Sequence, residues 1–398
     1  AGWQRRAAGF GSRAGCSVDT SKVVARSDFV LVHDVHQLSK ACLSAVVEAL
    51  SADPAVNTIR VGQQPHSLNH DAKGMIETGQ PAQTGTAGYA VYPYTLAGLN
   101  GQDQVVGVMD TGLDDLSCYF ADPTNCAGEG GSSCLTPRDG QIYKDRRKVI
   151  QYVPYADETD QEGGHGSHVV GSIVGLGMLI EQDMDYGQVT NPLRGYNGVA
   201  AAAKVAFEDI GDADGSLRVL NYLSLSEEAF PVSYRAGARV HSNSWGGGIF
   251  YNRFSFEVDK YTYENDDFLV LAGAGNEGNY IHAPIILNPC IAKNALCVGS
   301  AQVRDEYTDV PFDETTMSYF SSNGPTMEGR TKPDIVSSGS SITSCRASDP
   351  LFADWAYYYG YSQVTCATQQ MSGTSMATPV TAGGALLVRQ YFESANFW

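Results

Sequence analysis

Residues 105–109 read Val-Val-Gly-Val-Met, an apolar run that stops on a carboxylate, Asp110. A strand that is apolar at every position has both faces covered, as in a parallel sheet packed between helices. Working outward, Lys148–Val153, Lys204–Glu208, Arg239–Asn243, Phe268–Ala272 and Leu296–Ser300 read as further short strands. Segments with helical apolar period separate them at Gly166–Leu179, Leu217–Ala229 and Ser255–Asn265. Such alternation predicts an α/β fold with a doubly wound, mostly parallel sheet flanked by helices. Ligands of these sheets bind beyond the carboxyl ends of the strands. Asp110 and Asn276 fall at two such ends, and His165 and Ser375 fall at helix starts, so all four are expected at one edge of the sheet.

Residues 1–68 differ from the rest. Asp28–His33 reads as a strand, Gln37–Ser51 as a helix and Val56–Val61 as a second strand, a small α+β unit. Polar, proline- and glycine-bearing sequence follows to about Ala90. The chain begins with Ala1, and Trp398 follows an unfinished helical pattern, so a piece of a longer chain is expected. No signal peptide is visible. The longest apolar stretch, Val169–Ile180, is too short and too glycine-rich to span a bilayer, so no membrane span is expected.

Across 398 residues, 44 acidic side chains outnumber 26 basic ones, giving a net charge of −18. That balance argues against a nucleic-acid partner, which needs clustered Lys and Arg. The plain reading of the acid excess is a solvated surface; the alternative is paired acids that hold Ca2+. No loop spells an EF-hand, and the metal ligands are unknown from sequence. Nine cysteines without a CxxC pair point to disulfides rather than zinc. Spacing does not give their connectivity, and the odd count leaves at least one thiol without a partner.

The chemistry is concentrated in four short stretches. Gly373–Pro379 (GTSMATP) puts Ser375 at the start of a helix, Ala377–Tyr391, near free N–H groups and the positive end of the dipole. A serine there is ordinarily a cap. Serine becomes a nucleophile only beside a base, most often histidine, and Gly163–Gly171 (GGHGSHVVG) supplies His165 among glycines. His168 reads as a packed neighbour, and no HExxH accompanies the pair to suggest a metal. Val108–Asp114 ends a buried strand on Asp110, a carboxylate that needs a partner and can orient an imidazole. Ala272–Gly278 (AGAGNEG) presents Asn276, whose amide can donate to a developing oxyanion.

These motifs, in the order Asp, His, Ser, resemble the subtilase family of serine peptidases from Asp110 to Ser375. Ser242–Gly246 (SNSWG), Phe320–Pro325 (FSSNGP) and Gly329–Ile335 (GRTKPDI) are similar to further family segments. Within the family, HSNSWG with GPTMEGRTKPDI most resembles the oxidatively stable alkaline protease group. Asn69–Gly74 (NHDAKG) resembles the start of the mature enzyme there, which divides the chain into a partial propeptide-like segment, 1–68, and a catalytic domain, 69–398, truncated at its C-terminal end. Departures include Gly-Ser-His after His165 where Gly-Thr-His is usual, Asn323 where Arg is common, Ser337-Ser338-Gly339 for Ala-Pro-Gly, and a longer insert at Cys118–Gln141.

The resemblance implies a broad-specificity serine endopeptidase with triad Asp110, His165 and Ser375 and oxyanion donor Asn276. Ser244, Trp245 and Gly246, with Ala272, Gly273, Ala274 and Gly275, would hold substrate as an added strand through backbone hydrogen bonds. It implies a self-processed precursor cut near Leu68–Asn69, with polypeptide substrates and its own propeptide as partners. It also implies a monomer outside the cytoplasm, with no cofactor for the chemistry. Structural Ca2+ is expected from the family and from the acidic loops Asp122–Glu129 and Asp305–Asp313. The alternative of a different class is a catalytically silent homologue acting as a binding or scaffold protein. A peptide ligase would use the same triad.

Overall fold

The computed structural model describes residues 97–122, 135–160, 163–177, 197–279, 285–302, 316–347 and 366–394, with strands at 23–25, 30–32 and 66–67 and isolated positions between 44 and 94. The chain divides into two compact units, one of residues 1–64 with 219–223, the other of 65–218 with 224–398. In the first, β1 (Val23–Ala25) pairs antiparallel with β2 (Val30–Val32), the latter inside the expected strand Asp28–His33. Ser44, Val47, Glu48 and Ser51 are helical, within the expected helix Gln37–Ser51. The expected strand Val56–Val61 and the segment Asn69–Gly74 lie outside the described residues.

The second unit is built on seven parallel strands. They are β4 (Val105–Asp110), β5 (Val149–Pro154), β6 (Lys204–Asp209), β7 (Val240–Asn243), β9 (Leu269–Gly273), β10 (Leu296–Ala301) and β11 (Ile335–Ser338). Their order across the sheet is β11-β10-β9-β7-β4-β6-β5. From β4 the chain passes to the edge strand β5, returns to β6 between the two, then crosses to the other side of β4 with β7. The crevice therefore opens beyond the carboxyl end of β4, where the winding reverses. Asp110 is the last residue of that strand.

Alternation along β4 sends Val106 and Val108 to one face. There they pack with α1 (His165–Val174) and α4 (Thr374–Ser394) through Val169, Val170, Ile173, Val380, Leu386 and Leu387. Val169, Val170, Ile173 and Val174 are fully buried, each burial being worth about 1.5–3 kcal/mol. The opposite face packs Phe230 of α2 (Phe230–Ala236) with Tyr261 of α3 (Arg253–Glu264) and Phe268, at ring separations of 5.2–5.7 Å. Helices on both faces make the sheet doubly wound, as the apolar run at 105–109 requires.

The expected helix Leu217–Ala229 is a 3-10 turn, Arg218–Asn221, and a π-turn, Leu225–Ala229, and the α-helix begins only at Phe230. Ser224 caps the π-turn by accepting from Glu227 N, and Pro231 occupies the first turn of α2, which suits a helix start. The serine-bearing helix starts at Thr374, three residues before the expected Ala377, because Asn276 Oδ1 accepts from Thr374 N at 2.9 Å. Strands with no counterpart in the sequence reading include β1, β11 and the antiparallel pair β12 (Ile342–Cys345) and β13 (Thr368–Met371).

Cys290 pairs with Cys297, and Cys118 with Cys366. Cys345 carries a free, buried thiol whose ionisation burial pushes well up, which makes it unreactive. Among the described residues no helix is long and apolar enough to cross a membrane.

Candidate active site

The end of β4 meets the start of α1, and α4 packs against both elements. Asp110 Oδ1 lies 2.5 Å from His165 Nδ1 and also accepts from Thr111 N at 2.8 Å. Asp110 is 1% and His165 5% exposed, so the pair is shielded from water that would weaken it. A carboxylate can only accept, so the proton sits on Nδ1 and Nε2 is left as the basic nitrogen.

The approach of α1 to β4 depends on glycine. Gly164, the residue before the helix, has φ 58°, a conformation that costs other residues about 1–2 kcal/mol. A β-carbon on Gly166 would fall 2.0 Å from the Gly112 carbonyl oxygen. The absence of that carbon lets the helix start rest on the loop that follows Asp110.

Ser375 is fully buried and sits one residue into α4. Its hydroxyl donates to Ser244 O at 3.0 Å, and Ser244 Oγ donates back to Ser375 O at 2.6 Å. The second bond resolves a defect in the helix. Pro379 was expected in the first turn, but with the helix beginning at Thr374 it lies in the second, where it has no N–H for the carbonyl four residues earlier. That carbonyl is Ser375 O, and the Ser244 hydroxyl takes the place of the missing donor. The Ser375 hydroxyl is thus held by Ser244 O, from which rotation about one side-chain bond would release it.

Asn276 follows β9 through the bend at Gly275 and is half-buried. Its Oδ1 accepts from Thr374 N at 2.9 Å and Thr374 Oγ1 at 3.1 Å. These two donors fix which end of the amide is carbonyl and leave Nδ2 as the donor end. With Thr374 N held by Asn276 and Met376 N by Gly373 O, the Ser375 N–H lies between them at the positive end of α4.

The expected substrate wall divides in two. Trp245 and Gly246 form β8, which pairs antiparallel with β3 (His66–Ser67), Ser67 opposite Trp245 and His66 opposite Gly246. The Trp245 ring points inward onto Phe254, 5.5 Å between centroids, so its backbone, not its indole, faces a partner strand. Ala272 and Gly273 are ladder residues of β9, and Ala274 O is taken by Leu287 N. Gly275 N donates to Thr374 Oγ1 and Gly275 O accepts from Ser322 N. The 272–275 stretch therefore presents small side chains, its hydrogen bonds being largely occupied within the protein.

Two residues at the site were not singled out from sequence. Thr374 orients Asn276, though it lies inside the GTSMATP motif. Asp160 sits behind the dyad and accepts from Thr111 Oγ1 and Ser167 N; an acid five residues before His165, close to a helix start, was its only signal. Among the described residues no group of three or more His, Cys, Asp or Glu side chains could hold a metal ion. Of the two acidic loops expected to bind Ca2+, only Asp122 is described, and it accepts from Arg147 N at 2.9 Å.

The family model described as the subtilase family matches residues 101–398. The serine protease/ABC transporter B family protein tagB of Dictyostelium discoideum is 30% identical over 370 residues, 75% of this chain and 18% of that protein. The serine protease AprX of Bacillus subtilis is 27% identical over 273 residues, 63% of this chain and 55% of AprX. The solved prenylagaramide maturation protease PagA is 20% identical with a TM-score of 0.47, covering 76% of this chain and 82% of that one. The chain spans about a fifth of the length of the first Dictyostelium relatives it matches.

Proposed function

Because this chain belongs to the subtilase family, we propose that it is a serine endopeptidase that hydrolyses peptide bonds through an acyl-enzyme on Ser375. The observation that carries the reading is the buried contact of 2.5 Å between Asp110 and His165 Nδ1, which leaves Nε2 as the base. His165 takes the Ser375 proton as Oγ attacks the carbonyl carbon, and Asp110 stabilises the imidazolium so formed. Asn276 Nδ2 and the Ser375 N–H receive the oxyanion. The C–N bond breaks as His165 returns the proton to the leaving amine. Water, deprotonated by the same nitrogen, then releases the acid and restores Ser375.

Substrate is held as a strand along Trp245–Gly246, through backbone hydrogen bonds that tolerate many sequences, hence broad specificity. The pairing of His66–Ser67 with that strand supports this reading, and supports self-processing after Leu68 that separates 1–68 from 69–398. The two disulfides favour a location outside the reducing cytosol. The HSNSWG and GPTMEGRTKPDI segments favour the oxidatively stable alkaline protease group. We propose further a monomer that needs no cofactor for its chemistry, with structural Ca2+ in the loops 122–129 and 305–313.

Digestion of an unfolded polypeptide tests the activity: wild type cleaves at internal bonds and Ser375→Ala does not. An intact substrate after incubation with folded wild-type protein overturns it. Mass spectrometry tests processing, with an N-terminus at Asn69 in active wild type and at Ala1 in Ser375→Ala. An active preparation that keeps Ala1 excludes the cut.

A further inference from the structure

Asp160 is buried, 6% exposed, and both its oxygens are engaged by residues that flank the dyad. Oδ1 accepts from Thr111 Oγ1 at 3.1 Å, and Thr111 is the neighbour of Asp110. Oδ2 accepts from Ser167 N at 2.8 Å, two residues beyond His165. Thr111 Oγ1 in turn accepts from Gly166 N at 3.1 Å. The helix start has no side-chain cap from Gly164, so Asp160 and Thr111 serve the first N–H groups of α1 in its place. One carboxylate thus joins the strand end that carries Asp110 to the helix start that carries His165.

We infer that Asp160 is a positioning residue for the peptide-cleaving dyad, clamping Asp110 to His165 and, by its negative charge, favouring the imidazolium that forms during reaction. This rests on the reading of Asp110 and His165 as the catalytic pair. A second carboxylate behind the first acts on the imidazole without touching substrate, and deep burial strengthens its effect. Burial, with Asp110 adding to it, pushes the Asp160 carboxyl up to about 7, against the opposing pull of the Ser167 hydrogen bonds and of His165. The other titratable groups that face it are Asp209, at the end of β6, and the Cys345 thiol in β12.

The sign of the pH effect follows. As pH falls through about 7, Asp160 takes up a proton, its charge is lost, and the imidazolium is less favoured. Stability runs the other way. A carboxyl raised from 3.8 to about 7 contributes stability at low pH that is lost as pH rises through about 7, because ionised Asp160 is buried. Above about pH 7 the fold therefore bears a charge that it would be more stable without, as functional sites often do.

The test is a titration of His165 by nuclear magnetic resonance in the full chain carrying Ser375→Ala, with Asp160 or with Asp160→Asn. Asn retains one acceptor and the shape but no charge. We expect the His165 midpoint to fall by about 1 pH unit, while Tm at pH 8 stays level or rises. An unchanged His165 midpoint, with or without a lower Tm, overturns the inference and leaves Asp160 a structural acid. Should Asp160→Asn fail to fold, the Asp160 background decides alone. There the Asp160 carboxyl carbon and the His165 ring report each other's steps if the two are coupled, and a carboxyl with no step above about pH 5 refutes it. Because this readout needs no turnover, it is independent of peptidase activity, whose failure shows separately as no cleavage by the wild type.

Discussion

Replacing Gly166 by Ala tests how tightly the dyad depends on backbone contact. The new β-carbon lies 2.0 Å from Gly112 O and 3.1 Å from Gly112 C and N. Backbone atoms cannot swing aside as a long side chain can, so α1 and the 110–112 loop must separate by about 1.4 Å to reach ordinary contact near 3.4 Å. The hydrogen bond of 2.5 Å between His165 and Asp110 spans the same gap. A shift of that size carries it beyond about 3.5 Å, where it is no longer a hydrogen bond. Misplacement by about 1 Å costs on the order of 10²-fold in rate, and overpacking costs about 1–3 kcal/mol in stability. Gly163→Ala is the control. A β-carbon there meets nothing within 4 Å among the described residues, although φ is 111°, so only backbone strain of about 1–2 kcal/mol is expected, with kcat/KM close to wild type. The assay is kcat/KM on a chromogenic peptide beside Tm by circular dichroism. A Gly166→Ala enzyme within about threefold of wild type, at a rate set by chemistry, refutes the claim that this contact sets the dyad.

Three further substitutions follow from the hydrogen bonds. Asp110→Asn turns an acceptor into a donor toward His165 Nδ1 and moves the ring proton to Nε2, so kcat falls by about 10⁴ with little change in Tm; a loss under tenfold contradicts the tautomer assignment. Asn276→Ala removes the amide donor and lowers kcat by about 10²–10³ while KM changes little. That magnitude comes from subtilisin, a member of this same family, rather than from these distances. Equal effects on KM would place Asn276 in ground-state binding instead. Ser244→Ala leaves the carbonyl of Ser375 without its donor, and urea unfolding is expected to show a loss of about 1–3 kcal/mol. Unchanged stability would mean that Ser375 O finds another partner.

The parts that read well from sequence are those where one local pattern determines the outcome. Val105–Met109 lies in a central strand because a five-residue apolar run has no solvated face, and the strand ends on Asp110. The parts that read badly depend on partners far along the chain. Ile335–Ser338 ends in two serines and sits at the sheet edge with Ile335 and Val336 exposed, so alternation and apolarity both understate it. Thr368–Met371 becomes a strand only against Ile342–Cys345. The Leu217–Ala229 segment has helical period, but its backbone is diverted. Leu225 N donates to the Glu257 carboxylate from α3, and Ser224 caps the turn, so the α-helix waits for Pro231. Ser224 and Pro231 are signals that the apolar period outweighed.

At the site, side chains with intrinsic chemistry were legible: Asp110, His165, Ser375 and Asn276 each announced itself by residue type and glycine context, and the fold brings them to the carboxyl edge of the sheet. What supports them was not. Ser244 was expected to serve the substrate; that its hydroxyl also compensates Pro379 is visible only once the start of α4 is known. Asp160 was not singled out because both its hydrogen-bond donors are supplied by folding. The cysteines gave a free thiol by parity, while the pairing of Cys118 with Cys366 spans 248 residues and has no sequence signal.

The most direct measurement is covalent labelling of the wild-type chain and of Ser375→Ala with a fluorophosphonate, followed by mapping of the modified peptide. An activated nucleophile predicts a single phosphonylated residue, Ser375, in the tryptic peptide that spans the start of α4, and no label in the variant. A folded wild-type chain that takes up no label, or takes it up equally after Ser375→Ala, contradicts the account.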